Sequence, residues 1–129
     1  MIRDVVSTAA APAPIGPYSQ AVIAGDLVFV AGQIGLDPTT GKLVAGGVAA
    51  EAPRVLANLV AVLAAAGCGP ADVVKTTVYL VDLADGPAFG DAYTRTFHPP
   101  YPARATVQVA ALPAGARVEV EAVARRPAG

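Results

Sequence analysis

Residues 101–125, YPARATVQVAALPAGARVEVEAVAR, contain two stretches, 103–109 and 117–125, in which apolar side chains alternate with other types. Successive side chains of a β-strand point to opposite faces of its sheet. In the second stretch the apolar set is Val118, Val120, Ala122 and Ala124, and the other set includes Arg117, Glu119, Glu121 and Arg125. In the first stretch we expect Ala103, Ala105, Val107 and Val109 to face the core, opposite Arg104, Thr106 and Gln108. The pattern predicts two final strands, joined by a turn at 112–115, in a sheet with one polar face.

Upstream of these strands, two apolar runs at 19–24 and 27–31 are separated by Gly25-Asp26, a pair typical of hairpin turns. Gly32-Gln33 is expected to end the second run. Residues 2–6 are predicted to form a short edge strand. The segment 9–17 holds three prolines and a glycine, which indicates an ordered loop.

Two helices are predicted in the middle of the chain. Leu56, Leu59, Val60 and Leu63 recur at helical spacing, with Pro53 expected in or near the first turn and Gly67 as the C-terminal cap. The second helix is expected to be capped by Asp85 and to bury Phe89, Ala92, Tyr93 and Phe97, before the proline-rich segment 98–102 stops it. Residues 73–83 are rich in β-branched side chains and predict a central strand.

The resulting order, β-β-β-α-β-α-β-β, predicts an α+β fold: a single six-stranded mixed β-sheet with two helices packed on one face. The whole chain, residues 1–129, is expected to form one domain.

Composition limits the function classes. Only 15% of residues are charged and the formal net charge is −1, so nothing favours binding to nucleic acid or to an anionic membrane. The low charge favours burial of part of the surface against further copies of the chain. One cysteine, Cys68, makes an internal disulfide impossible and favours a reducing compartment, and we expect a cytoplasmic protein.

The polar sheet face has a plain explanation, which is a solvated face carrying cross-strand ion pairs, and periodicity alone favours it over a functional site. Longer motifs change that balance. The segments 101–107 (YPARATV), 111–113 (ALP) and 118–122 (VEVEA) closely resemble the signature of the RidA (YjgF) family of enamine and imine deaminases. Segments 15–21, 30–34, 58–67 and 74–80 match the same family in order and spacing.

The resemblance implies a chorismate-mutase-like fold, a homotrimer with sites between subunits, and hydrolysis of 2-aminoacrylate-type enamines and imines, released by pyridoxal-phosphate enzymes, to 2-keto acids and ammonia. It implies that Arg104 binds the substrate carboxylate, that Glu119 handles the water, and that Tyr18, Gly32 and Thr106 complete the substrate site. No metal and no cofactor is expected. Thr106 stands where well-known members have Cys, and Gly90 where many have Asn.

Alternatives remain at this level. Arg104 and Glu119 are also explained as a structural ion pair, Tyr18 as a loop residue at the core edge, and Gly32 as a left-handed residue that ends a strand. A second function class is a non-catalytic trimer that binds a 2-keto acid as a signal. Ribonuclease activity is disfavoured because His98 is the single histidine. Cys68 is expected to be a buried small residue, and His98 receives no role.

Overall fold

Six strands and two helices follow one another in the predicted order in the computed structural model, which describes residues 4–128. The strands are β1 Asp4–Val6, β2 Ala21–Ala24, β3 Leu27–Gln33, β4 Val73–Leu80, β5 Ala103–Gln108 and β6 Val118–Arg125. The helices are α1 Val48–Ala65 and α2 Gly86–Thr96. Of the predicted edge strand at 2–6, residues 2 and 3 lie outside the described residues.

The strands form one sheet in the order β1-β2-β3-β6-β4-β5. Neighbouring strands are antiparallel except β4 and β5, which are parallel and are connected through α2. The prediction of a single mixed sheet is therefore confirmed. The chain enters β3 from β2 through the predicted hairpin, where Gly25 has a φ of 64°, a value that glycine adopts without strain.

The core lies between the sheet and the helices. The predicted apolar face of β6 is buried, with Val118 and Val120 fully so. Helix α1 packs Val55, Leu59 and Val62 into this core without exposing them. The helix is long and apolar enough to span a membrane by length and composition alone, but half of it is buried inside this fold. The opposite sheet face carries no helix and is called here the open face.

The two ends of α1 show one confirmed and one corrected expectation. Gly67 has a φ of 79°, and beyond it the Cys68 N–H donates to the Leu63 carbonyl at 2.8 Å, so the predicted glycine cap is present. Pro53 lies in the second turn, not the first, because α1 begins at Val48. Ala49, whose carbonyl loses its helical partner to the proline, is exposed, so water can replace that hydrogen bond.

The predicted cap of α2 is also corrected. Asp85 occupies the position before the helix, but its side chain makes no capping hydrogen bond. Asp82 instead accepts from the Ala84 N–H at 2.9 Å and caps the short turn that precedes α2. The apolar positions predicted for α2, Phe89, Ala92, Tyr93 and Phe97, are all buried.

Strand β5 contradicts the predicted orientation of its side chains. Arg104 is the register partner of Thr76, which is fully buried beneath α2, so Arg104, Thr106 and Gln108 share the helix side of the sheet. The predicted core residues Ala103, Ala105 and Val107 lie on the open face. All six residues of β5 are exposed, because this edge strand extends beyond the cover of the helices. Register with β4, not the alternation of small residues, decides the orientation.

Candidate functional site

Glu119 lies on the open face of β6, where its side chain turns toward β3. It is half-buried. Burial raises the pKa of the Glu119 carboxyl above its ordinary value, and the negative charge of nearby Glu121 raises it further. A carboxyl group shifted in this direction can take up and release a proton closer to neutral pH.

Gly32 makes room for this carboxylate. A Cβ atom placed on Gly32 would overlap the Glu119 carboxylate and would lie 2.8 Å from its carboxyl carbon, closer than real Cβ contacts. The φ of Gly32 is not in the left-handed region, unlike that of Gly25 or Gly67. Glycine is therefore required at this position by the close approach of Glu119 and not by a left-handed strand end.

A small cleft joins Glu119 and Gly32 to Tyr18 and is called here the Glu119 cleft. Its other walls include Ile15, Gln33, Ile34 and Pro113. Tyr18 keeps 48% of its surface exposed, and its hydroxyl accepts from the Ile15 N–H at 3.3 Å. The cleft encloses about 50 Å³. A cavity that holds the six carbon atoms of benzene measures about 150 Å³, so this cleft needs a further wall to enclose a ligand of that size.

Arg104 lines a separate cleft on the helix side of the sheet, called here the Arg104 cleft. It measures about 460 Å³ and is also lined by Tyr93, Thr94, Tyr101 and Pro102. The guanidinium carbon lies 4.8 Å from the centre of the Tyr93 ring. Within residues 4–128 Arg104 forms no salt bridge. Its hydrogen-bond donors are thus free to bind an anion.

The predicted site residues therefore fall into two groups within one chain. Tyr18, Gly32 and Glu119 meet in the Glu119 cleft. Arg104 and Thr106 lie on the other side of the sheet, on β5, with β4 between their strand and that of Glu119. Thr106 is exposed and does not line the Arg104 cleft. This placement excludes an ion pair between Arg104 and Glu119 of the same chain, and a combined site requires a second copy.

The surroundings of Glu121 correct a further expectation. The sequence suggests a basic partner near the Arg125 end of β6, but the hydroxyl of Tyr79 on β4 donates to the Glu121 carboxylate. Arg125 pairs instead with Asp26 of the hairpin at 2.9 Å. The hydrogen bond to Glu121 raises the pKa of the Tyr79 phenol, with smaller effects from burial and from the two carboxylates. The open face in this region is acidic and has no cross-strand ion pair within the described residues.

Three buried polar residues hold the walls of the Glu119 cleft and received no role from the sequence. Gln20 ties the preceding loop together by accepting from the Thr8 N–H at 2.7 Å and donating to the Pro12 carbonyl at 2.9 Å. Asn58 donates to the carbonyls of Ile34 and Leu36, and Glu51 accepts from the Arg117 N–H at 2.8 Å. A polar residue among the apolar positions of α1 is the signal that could have identified the last two.

Other chemistry-bearing residues lie away from both clefts. Cys68 is buried after α1, as predicted, and burial raises the pKa of its thiol. His98 is exposed in the turn after α2. Within residues 4–128 no three His, Cys, Asp or Glu side chains are grouped so that they could hold a metal ion.

Comparison with known proteins adds a family. The model of the family described as Endoribonuclease L-PSP matches residues 8–126. A human protein named 2-iminobutanoate/2-iminopropanoate deaminase is 53% identical over 124 residues, covering 96% of this chain and 90% of its own length.

Solved structures agree with the fold. A protein of Thermotoga maritima described as an endoribonuclease superimposes with a TM-score of 0.93 at 44% identity, covering 97% of this chain and 98% of that one. A RidA protein from an Antarctic Psychrobacter bacterium superimposes with a TM-score of 0.92, also at 44% identity, covering 95% of this chain and 98% of that one.

Proposed function

The chain belongs to the endoribonuclease L-PSP (RidA/YjgF) family, and from that premise we propose that it hydrolyses 2-imino acids and their enamine tautomers to 2-keto acids and ammonia. It is a deaminase acting on a C–N bond, like the relatives about 50% identical to it. Water adds to the imine carbon, the C–N bond breaks, and the nitrogen leaves as ammonia. The observation that carries the proposal is the half-buried Glu119 carboxyl with a raised pKa at the back of an open cleft.

Glu119 is proposed to accept a proton from the attacking water and to return it to the departing nitrogen. The reaction needs one group that performs both transfers, because water must lose protons while the amine gains them. A carboxyl whose pKa lies closer to neutral serves both directions better than an ordinary glutamate. Tyr18 is proposed to pack over the small substrate in the same cleft, where its hydroxyl is already oriented by the Ile15 N–H.

Arg104 is proposed to bind the substrate carboxylate. Its planar guanidinium can donate two parallel hydrogen bonds to a carboxylate, a geometry that lysine lacks. Since Arg104 and Glu119 lie on opposite sides of the sheet, the two meet only if β5 of one subunit covers the Glu119 cleft of a neighbour. Backbone N–H groups at Gly32 and Thr106 are proposed to complete carboxylate recognition.

We propose a homotrimer with three such sites between subunits. The open face supports association, because it exposes large apolar side chains including Leu27, Phe29 and Val107. An exposed apolar sheet face is typical of an interface between copies. The proposal includes no cofactor, no nucleic-acid partner and no membrane, in keeping with a net charge of −1, and places the protein in the cytoplasm.

A non-catalytic trimer that binds 2-keto acids is the competing function, and Arg104 would serve it equally well. Glu119 favours catalysis, because a second negative charge beside the ligand carboxylate weakens simple anion binding. Cleavage of RNA, to which the family description refers, is disfavoured by the exposed position of His98, outside both clefts.

The test is a coupled assay in which 2-aminoacrylate is generated in place and the appearance of keto acid is followed. The wild-type protein is expected to accelerate this step. Arg104→Ala should lose about a hundredfold or more in kcat/KM, because two charge-assisted hydrogen bonds are each worth about 1.5–3 kcal/mol. Arg104→Lys should restore only part of the loss.

The matched control is Arg95→Ala, which removes an exposed arginine of α2 outside both clefts. It should leave kcat/KM unchanged. If the wild-type protein gives no acceleration at micromolar concentration but binds 2-keto acids through Arg104, the binding module replaces the enzyme.

A further inference from the structure

Tyr93 of α2 contacts two residues of the sheet that are register partners of each other. Its ring lies against the Arg104 guanidinium, 4.8 Å from ring centre to guanidinium carbon. Its hydroxyl is hydrogen-bonded to the Thr76 hydroxyl at 2.9 Å. Thr76 and Arg104 are paired across β4 and β5. One tyrosine thus spans the junction between the buried core and the exposed arginine.

The anchoring of this ring is unusually firm for a residue beside a cleft. Tyr93 is 4% exposed and packs between Phe89 and Phe97, with ring centres 5.7 and 4.6 Å away. Thr76 is fully buried in a row otherwise occupied by Val78 and Leu80. A buried hydroxyl without a partner is costly, and that of Thr76 is satisfied by Tyr93. The hydrogen bond fixes how the ring is placed within the aromatic cluster.

Arg104, by contrast, has little else to hold it. It lies on an edge strand whose six residues are all exposed, and within residues 4–128 it makes no salt bridge. An unrestrained arginine loses much rotamer freedom when it binds a ligand. Contact with the face of an aromatic ring attracts the cation without supplying an acceptor for its N–H groups. Those donors remain available for a carboxylate.

We propose that Tyr93, fixed by Thr76, is a positioning residue that holds the Arg104 guanidinium ready to bind the substrate carboxylate. The inference rests on the proposed function, in which Arg104 is the carboxylate anchor. The interaction acts on binding: it lowers the conformational cost that Arg104 bears when the ligand arrives. It takes no part in the proton transfers at Glu119, so turnover of bound substrate is unaffected.

The experiment measures the Kd of 2-oxobutanoate, a stable 2-keto acid, by calorimetry, together with KM and kcat in the coupled assay. Tyr93→Leu removes the ring and should raise Kd and KM about two- to fivefold, the range expected for an exposed cation–π contact, with kcat unchanged. Tyr93→Phe and Thr76→Val each remove the same hydrogen bond but keep the ring. Both should fold, and both should raise Kd by less than Tyr93→Leu does. The double variant should add nothing to either single one.

Phe89→Leu is the matched control, because it deletes an aromatic ring from the same helix and cluster without touching Arg104. It should lower the thermal midpoint while leaving Kd at the wild-type value. The proposal is overturned if Phe89→Leu raises Kd as much as Tyr93→Leu, or if the Tyr93 and Thr76 variants all bind with wild-type affinity.

Variants of Arg104 separate this proposal from the proposed function. In an Arg104→Ala background, Tyr93→Leu should have no further effect on Kd, since the group that it positions is gone. If Arg104→Ala itself binds 2-oxobutanoate with wild-type affinity, the carboxylate anchor is misassigned and the proposed function fails. If Arg104→Ala weakens binding but the Tyr93 and Thr76 variants do not, only the positioning role is wrong.

Discussion

Arg104 and Glu119 lie on opposite sides of one sheet, on strands separated by β4. Each lines its own cleft, and neither cleft contains the other residue. A reaction that uses both must take Arg104 from one subunit and Glu119 from another. This relationship makes the assembly testable through activity as well as through size.

Mixed assemblies of two inactive chains should regain activity. Arg104→Ala and Glu119→Gln chains, co-assembled in equal amounts, should show about one active site in four, the statistical fraction for random assembly into a closed ring. Tyr18 and Glu119 line the same cleft, so co-assembling Tyr18→Ala with Glu119→Gln chains should restore no site that has both residues. Coupled-assay rates of the two mixtures, compared with their unmixed components, check this. Equal rates in both mixtures would argue against a site shared in this way.

The two glutamates of β6 should separate in their effects. Glu119→Gln keeps the shape of the side chain but cannot accept a proton, so kcat should fall on the order of 10² to 10⁴ with little change in substrate affinity. Glu121→Gln should retain most of the turnover, because Glu121 is hydrogen-bonded to Tyr79 and does not line the Glu119 cleft. Its cost should appear as a small fall in thermal midpoint. Normal turnover in Glu119→Gln together with inactivity in Glu121→Gln would assign the catalytic role to the wrong glutamate.

The pH profile should depend on Glu121. The pKa of Glu119 is raised from 4.5, first by burial and then by the Glu121 charge. If ionised Glu119 accepts the proton from water, kcat/KM falls as pH drops through that raised pKa. Glu121→Gln removes the neighbouring negative charge, so the acidic limb should move to lower pH, while burial keeps it above 4.5. Profiles of kcat/KM against pH measure the shift.

Tyr79→Phe is the control for this profile. It removes the hydrogen bond to Glu121 and leaves the Glu121 charge in place, so the acidic limb should move less than in Glu121→Gln. The other charged groups on the open face of the adjoining strands are Lys75 on β4 and Arg125 on β6, and the burial of Glu119 with the Glu121 charge accounts for the shift. An acidic limb that stays fixed in Glu121→Gln would contradict the role of that charge.

Gly32→Ala should reduce activity more than stability. The new Cβ would displace the Glu119 carboxylate, which is the end of a flexible side chain and can move away at small cost to the fold. We expect at least a tenfold loss of kcat, since a displacement of about 1 Å in a catalytic group has costs of that order or greater. Gly90→Ala is the matched substitution, in α2 with no atom near the new Cβ. It should raise stability by about 0.5–1 kcal/mol without changing kcat. Thermal midpoints and coupled-assay rates distinguish the two.

Much of the fold followed from local patterns in the sequence. The alternation in β6, the helical spacing of Leu56, Leu59 and Leu63, and the glycines at 25 and 67 each depend on neighbours within a few residues. The same locality explains the errors. Pro53 and Asp85 were placed by preferences for helix starts, but the start of a helix is set by what the preceding loop packs against.

The residue types of the site were also predictable, because Tyr18, Gly32, Arg104, Thr106 and Glu119 lie in motifs that the sequence displays. Their relation in space was not. Alternation along β5 says that Arg104 and Ala105 point in opposite directions, but not which direction faces the helices. Pairing with β4 decides that, and it joins residues nearly thirty positions apart, such as Thr76 and Arg104.

The sequence by itself thus determined the elements, their order and the chemical groups available, since these depend on short-range sterics and on side-chain chemistry. Only the tertiary structure decided that Glu119 and Arg104 occupy opposite sides, that Glu121 bonds to Tyr79, and that Tyr93 holds Arg104. Each of these is a contact across strands or between helix and sheet. Such contacts depend on register and packing, in which a shift of one residue reverses every side chain of a strand.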